Sequence, residues 1–284
     1  MARTISKSTS RRIELIIIGI ILGICTIICI FPFIWMISTS LKSTAEAYSF
    51  PPTLIPKRPM FSNFKNGFAK ADFVQFTKNT IFLTLVCTVG TVISSAVVAY
   101  GFARFKARGS NILFLCLMGT MMLPTQVTLV PQYLLYYKLG MVDTYWPMIV
   151  PAWLGGGAFN IFLYRQFFLS LPKELNEAAT IDGANSWQTF FHIILPSVKP
   201  VSLAVGVMSL VYNWNDFYTP LIYLNTTSKF TVSIGLQFLN SSMGTTKIGQ
   251  MMAVALVTLL PVLVIFFVCQ KYFVQGIKMS GLKS

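Results

Sequence analysis

Three of the eight acidic residues and the single histidine of this 284-residue chain fall within residues 171–200, LPKELNEAATIDGANSWQTFFHIILPSVKP. Such groups gathered in one stretch invite metal ligation or general acid–base chemistry, yet Glu174, Glu177, Asp182 and His192 match no metal-ligand spacing and flank no activated nucleophile. The order of residues fits two short helices joined at a glycine instead, a shape that another protein can grip. Pro172 stands where a first helical turn tolerates a missing N–H, Glu174 and Glu177 bring negative charge to the helix start, and Asp182-Gly183 offers a left-handed stop near Asp182. Asn185 or Ser186 can cap a second helix, in which Trp187, Phe190, Phe191 and Ile194 recur at i, i+3, i+4 and i+7 as one apolar face. Pro196 is expected to end it, and His192 reads as a polar-face residue rather than a ligand.

The composition decides where such a loop must sit. With 55% hydrophobic and 11% charged residues and a mean hydropathy of +0.68, the chain is expected to be an all-α polytopic membrane protein. A net charge of +14 would suggest nucleic acid in a soluble protein. In a helical membrane protein Lys and Arg gather in the loops to fix topology, so no nucleic-acid partner is expected. Cys25, Cys29, Cys87, Cys116 and Cys269 all lie in apolar runs, where a thiol acts as a small buried hydrophobe; no metal site is expected.

Apolar runs at about 13–41, 79–102, 112–130, 145–168, 198–223 and 249–273 predict six transmembrane helices, each near the roughly 20 residues that a bilayer requires. Pro32 should kink or tilt the first, and the third should end at Pro131. Gly155-Gly156-Gly157 permits either a close helix approach or a local break in the fourth. The connection 42–78 carries Pro51, Pro52, Pro56 and Pro59, against a helix through its first half, while Phe61, Phe64 and Phe68 fit one face of a short interfacial helix. The organisation expected is a tail at 1–14, a first span and long extracytoplasmic loop at 15–78, a five-helix core at 79–273 that includes the 171–200 loop, and a tail at 274–284. With the N terminus inside, 13 Lys and Arg fall on the inner side and 9 on the outer, and the short outer loops carry only three. Both termini and the 171–200 loop are therefore expected to be cytoplasmic.

No phosphate loop, nucleophile elbow, H-E-x-x-H or paired carboxylate set is visible, so no catalytic residue is assigned. The spans are nearly free of the mid-membrane charge that ion-coupled carriers keep. The exception is Asp216, in the stretch holding Trp214 and Asn215, expected near the outer end of the fifth span. These three residues are candidates for a translocation pathway, although an interfacial structural role, Asp216 paired with Asn or water and Trp214 as an anchor, is the stronger reading.

Glu177-Ala178-Ala179, three residues, Gly183, nine residues, Ile193, one residue, Leu195-Pro196 resembles the EAA loop of ABC importer permeases without a departure. Ser40-Leu41-Lys42, Glu46-Ala47, Pro51-Pro52, Asn63-Phe64, Trp214-Asn215 and Tyr272-Phe273-Val274-Gln275-Gly276 are similar to the shorter permease subunit of maltose-type carbohydrate importers, a resemblance over nearly the whole chain. It implies a type I ABC importer transmembrane fold whose cytoplasmic coupling helix seats in a separate ATPase. Glu174, Glu177, Ala178, Ala179, Asp182, Gly183, Ala184, Phe190, Ile193, Leu195 and Pro196 are the docking residues so implied. The implied partners are a second homologous permease, two ATPases that bind the ATP and magnesium, an extracytoplasmic solute-binding protein and membrane lipid, all at a bacterial-type inner membrane. This chain would hold no cofactor. The implied cargo is a sugar or oligosaccharide, with another polar solute such as a glycerol phosphate as the alternative; an ion-coupled carrier or a membrane scaffold would have to work without an ATPase.

Overall fold

Inside a bilayer no water is available to backbone N–H and C=O groups, so a chain this apolar must satisfy them within helices. In the computed structural model, the backbone is described at residues 7–241 and 247–281, with side chains at 11, 14–239 and 247–267. Every regular element among the described residues is helical. Residues 1–6 of the expected tail, and the side chains of Cys269 and of 272–276, lie outside what is described.

Glu14–Ser40, Phe73–Arg104, Trp146–Ser170 and Ile248–Phe267 are each long and apolar enough to cross a membrane. Two bent pairs, Ser110–Thr120 with Thr125–Lys138 (102°) and Ser186–Ser197 with Lys199–Asn215 (81°), raise four spans to six if each pair counts as one. The residues read as tails partly continue helices, since the first begins at Lys7 and the last, Ile248–Gly281, runs on to Gly281. The third run also departs from expectation. It breaks at Pro124, and Pro131 sits inside the Thr125–Lys138 helix. The first helix ends at Thr120 and Pro124 is the N-cap of the next, so the break falls at the first proline, while Pro131 costs the second helix one bond without ending it.

The chain forms two compact units. The first combines the residues up to 71 with 238–257. Its Glu14–Ser40 helix has no part of its most apolar window covered by protein, so Cys25 and Cys29 are exposed rather than buried, as is Cys116 in the second unit. Beyond Ser40 the chain turns back on itself around Lys42, which is only 2% exposed. Its Nζ donates to the Thr53 carbonyl and lies 4.7 Å from the centroid of the Trp35 ring. Asn63 Nδ2 donates to the carbonyls of Ser40 (2.9 Å) and Lys42 (2.8 Å), and the Glu46 carboxylate accepts from the Lys57 amide. As the prolines require, no helix forms between Ala47 and Ser62.

The Ser62–Ala69 helix exists, but Phe61 is 72% exposed and the residues it buries are Asn63 and Gly67. The reason is proximity. A Cβ on Gly67 would lie 2.8 Å from Val254 Cγ2 and 2.9 Å from the Gln250 carbonyl, and one on Gly249 would lie 2.7 Å from the Lys42 carbonyl. Only a face without side-chain bulk fits there.

The second unit is built around the Phe73–Arg104 helix, capped at its start by Asp72 accepting from the Gln75 amide. Against it lie Trp146–Trp153, Ala158–Ser170 and Lys199–Asn215. Small residues on the central helix permit this: Ala96 and Ala99 are fully buried, and the indole of Trp153 occupies the place a Cβ on Gly90 would take. Gly155-Gly156-Gly157, all at positive φ, serve both purposes left open above. They break the fourth run into two helices, and a Cβ on Gly156 would lie 2.7 Å from the Thr91 carbonyl. The freed backbone is repaired by side chains, with Ser94 donating to the Ala152 carbonyl and Asn160 to that of Gly156.

Two connections of this unit are clamped at Asp143, which is held at φ 58. Its carboxylate accepts from the amides of Asn225 and Thr226, the Thr226 hydroxyl and the Lys229 ammonium, the last also an ion pair at 3.0 Å. The Thr226 hydroxyl and amide, then the Asn225 amide and Lys229, hold this carboxyl well below the usual carboxylate range.

Gly67→Val should cost roughly 1–3 kcal/mol of stability through overpacking. Adding Val254→Ala should recover only part of it, because the Gln250 carbonyl remains; thermal unfolding in detergent measures both. For Asp143 the folded carboxyl is the stronger acid, so its contribution is complete above the unfolded value near 3.9 and drains away as pH falls further. Wild type should therefore melt a few degrees above Asp143→Asn at pH 7, and the two should converge as pH drops below about 4.

Candidate functional site

The first helix of the 171–200 loop spans Glu174–Ile181, with Glu174 and Glu177 in its first turn, where the helix dipole favours negative charge. It ends as the residues require. Asp182 is the C-cap, Gly183 sits at φ 78, the Ala184 amide donates to the Ala179 carbonyl (2.9 Å) and the Gly183 amide to that of Thr180 (3.1 Å). This pair of bonds is the Schellman arrangement that satisfies the last orphan carbonyls. Nothing lies within 4 Å of where a Gly183 Cβ would stand, so backbone conformation alone calls for glycine.

Of the two candidate caps for the second helix, Asn185 serves. Its side chain accepts from the Gln188 amide (2.9 Å) while Gln188 Oε1 accepts from the Asn185 amide (2.8 Å), a reciprocal capping box. The α-helix lasts only over Ser186–Thr189, after which Phe190–Ile194 is a π turn. That wider turn changes the expected face. Phe190 and Ile194 are buried, but Trp187 is 60% exposed and stacks on the exposed Phe191, with centroids 6.0 Å apart and planes at 19°. Helix also continues through Pro196 to Ser197 and breaks at Val198, just before the Lys199–Asn215 helix that carries Pro200 near its start. Pro196 stands early in its own short segment, where its missing N–H does little harm, so it does not end the loop.

The loop residues divide into two sets. Ala179, Phe190 and Ile194 are buried, and Leu175, Ile193 and Leu195 pack against the same core. Glu174, Glu177, Ala178, Asp182, Gly183 and Pro196 are exposed, with Ala184 half-buried. His192 is exposed, its Nδ1 3.1 Å from the Gln188 carbonyl.

Two residues that sequence reasoning missed complete the picture. Asn176 donates to the Tyr100 hydroxyl at 2.9 Å, fastening the first loop helix to the end of the central helix. Tyr100 in turn meets Phe190 at 5.0 Å and Phe168 at 5.9 Å between centroids. Ile181, 86% exposed, stands one turn beyond Glu177 and joins Asn176, Glu177 and Thr180 in lining a shallow notch. Its signal was present, since it is the one large aliphatic residue of this helix besides Leu175. The loop thus presents an outward apolar and acidic patch on a support anchored to the spans.

Trp214, Asn215 and Asp216 stand in different settings. Trp214 is 8% exposed within the chain, Asn215 is exposed and donates to the Val211 carbonyl, and Asp216 accepts from the Thr219 amide at the start of the following helix.

Residues 92–279 match the family described as binding-protein-dependent transport system inner membrane component. The arabinooligosaccharides transport system permease protein AraQ of Halalkalibacterium halodurans is 32% identical over 90% of this chain and 92% of its own length. The sn-glycerol-3-phosphate transport system permease protein UgpE of Pectobacterium atrosepticum is 32% identical over 91% and 93%. Among solved structures, a chain of a bacterial ABC transporter involved in importing the acidic polysaccharide alginate superposes with a TM-score of 0.83 at 24% identity, covering 96% of this chain and all of that one. The fold is therefore shared with that transporter.

Gly183→Val should accelerate hydrogen exchange at the Ala184 amide about tenfold, because a left-handed β-branched residue costs about 1–2 kcal/mol. Gly183→Asn, which tolerates that conformation, should leave exchange close to wild type.

Proposed function

The chain belongs to the family of binding-protein-dependent transport system inner membrane components, the multi-pass membrane permeases of ABC importers, and we propose that it forms half of a pathway for a sugar or oligosaccharide. In this reading six spans cross the inner membrane with both termini in the cytoplasm. A second permease subunit completes the pathway, a solute-binding protein delivers the cargo outside, and two ATPases that bind ATP and magnesium drive transport from within. The loop around Glu177 is the coupling helix. ATP-driven closure of the ATPases moves it, and the spans rock between inward- and outward-open states.

The observation that carries the reading is the division of the loop into two faces. Glu177, Ala178 and Ile181 are turned out, free to enter a groove, while Asn176 and Phe190 are fixed to Tyr100. A force applied outside therefore has a route to the Phe73–Arg104 helix. Glu177 suits a basic group of the ATPase, Ala178 permits close approach, and Ile181 is the apolar anchor of the contact. For the cargo, the likeness to AraQ supports an oligosaccharide; the equal identity to UgpE supports a glycerol phosphate as the second reading.

Glu177→Lys and Ile181→Asp should each lower substrate-stimulated ATP hydrolysis of the reconstituted complex about tenfold or more, with membrane insertion unchanged. Stimulated hydrolysis at the wild-type level in both variants would overturn the assignment of the loop. Binding measurements on the solute-binding protein decide the cargo: tight oligosaccharide binding without glycerol phosphate binding is expected, and the reverse would install the second reading.

A further inference from the structure

A cavity of about 870 Å³ opens where three apolar helices end: at the close of Phe73–Arg104, the start of Ser110–Thr120, and the close of Ala158–Ser170 beside the first loop helix. Four cations line it, Arg104, Lys106, Arg165 and Lys173, against a single acid, Glu177. None of the four pairs with a carboxylate among the described residues. Like charges collected in one hollow repel one another, and an anion entering it relieves that repulsion.

The guanidinium groups are held in place rather than waving in solvent. Arg165 lies with its central carbon 4.1 Å from the centroid of the Phe114 ring. Arg104 donates through one terminal nitrogen to the Leu171 and Pro172 carbonyls. The Nε of each arginine is nonetheless buried without a hydrogen-bond partner. Both arginines line the cavity, and a planar guanidinium already held in place by its neighbours is prepared for an oxyanion of phosphate or carboxylate type. The Ser110–Thr120 helix starts at this cavity after Gly109 with no side-chain cap; its Ser110 amide is taken by the Ala107 carbonyl, and the positive end of its dipole adds to the attraction for an anion.

What surrounds the cavity selects among anions. Ile112 and Leu169, both in its wall, are 67% and 47% exposed, and Leu113 and Leu115 beside them are 63% and 71% exposed. These residues belong to helices apolar enough to lie in a membrane, so the cavity stands at the boundary where lipid headgroups are found. A soluble anion would use the charge and leave the apolar rim bare, whereas a lipid uses both. We propose that this cavity binds the phosphate of an anionic phospholipid, with the acyl chains lying along the Ser110–Thr120 helix. Because Glu177 and Asn176 form part of the same wall, an occupied cavity would also brace the first loop helix beside its exposed patch, with Glu177 shared between the two. The proposal rests on the chain being a membrane protein and holds whatever solute it carries.

The test uses the purified importer complex and native mass spectrometry, titrating phosphatidylglycerol against phosphatidylcholine. Lys106→Gln/Lys173→Gln changes two exposed side chains outside the spans, and Lys138→Gln serves as a control of equal chemistry away from the cavity. Wild type should take up one more phosphatidylglycerol than the double variant, which should bind that lipid about tenfold more weakly, while Lys138→Gln and phosphatidylcholine uptake stay unchanged. Arg165→Gln should lose the lipid, and Arg165→Lys, which keeps the charge but not the planar fork, should weaken binding less than Arg165→Gln does. Equal retention by wild type and the double variant would overturn the proposal, as would an equal loss in Lys138→Gln. Full displacement by millimolar inorganic phosphate would assign the cavity to a free anion instead. Uptake that appears only after the ATPases are stripped away would assign it to them.

Discussion

Tyr100 is the joint on which the second unit depends. A buried phenol needs a partner for its hydroxyl and edge contacts for its ring, and both needs are met by separate pieces of chain. The hydroxyl takes the amide of Asn176; the ring meets Phe105 at 5.7 Å with planes at 90°, Phe168 at 5.9 Å and Phe190 at 5.0 Å. Both loop helices therefore close on the end of one spanning helix. Such a joint resists sliding, because moving any ring out of its angle loses contact area and strands a half-buried amide. The outward face of the loop can then vary with its partner without weakening the support beneath it.

How far the residues disclose this arrangement depends on whether a rule is local. Four of the six runs were legible as spans because length and apolarity suffice to identify them, while the bends of 102° and 81° in the other two were not; Gly183 and Asn185 were legible because left-handed stops and caps follow from a few neighbouring residues. The face of the second loop helix was not. Placing Trp187 and Phe191 beside Phe190 and Ile194 assumes 3.6 residues per turn, and the π turn at Phe190–Ile194 breaks that period. A similar blindness hid Asn63 and Gly67. Periodicity weighs apolar bulk, yet the face buried there is the one with least of it, since the chain approaching it leaves no room for a side chain. Asn176 gave no signal at all, because its partner Tyr100 lies 76 residues away.

The first unit solves a different problem, that of a buried cation with no anion. Lys42 is enclosed by the Thr53 carbonyl and the face of Trp35. Carbonyl dipoles and a ring quadrupole spread the compensation over neutral groups, and desolvation of a second full charge is avoided. The residues that bear the family likeness in this stretch, Ser40, Lys42, Glu46 and Asn63, are the ones that tie the fold-back together. Their pattern records a fold-back of the chain.

The 81° angle at Val198 gives the loop the geometry of a bell crank. Two rigid arms fixed nearly at right angles transmit a push along one as a sideways sweep of the other. If the elbow holds, then under the proposed coupling the far end of the Lys199–Asn215 helix would travel farther than the short arm, in proportion to their lengths. Stiffness at this one corner then matters more than the strength of any grip on the loop, for a crank that flexes at its pivot delivers nothing to its longer arm.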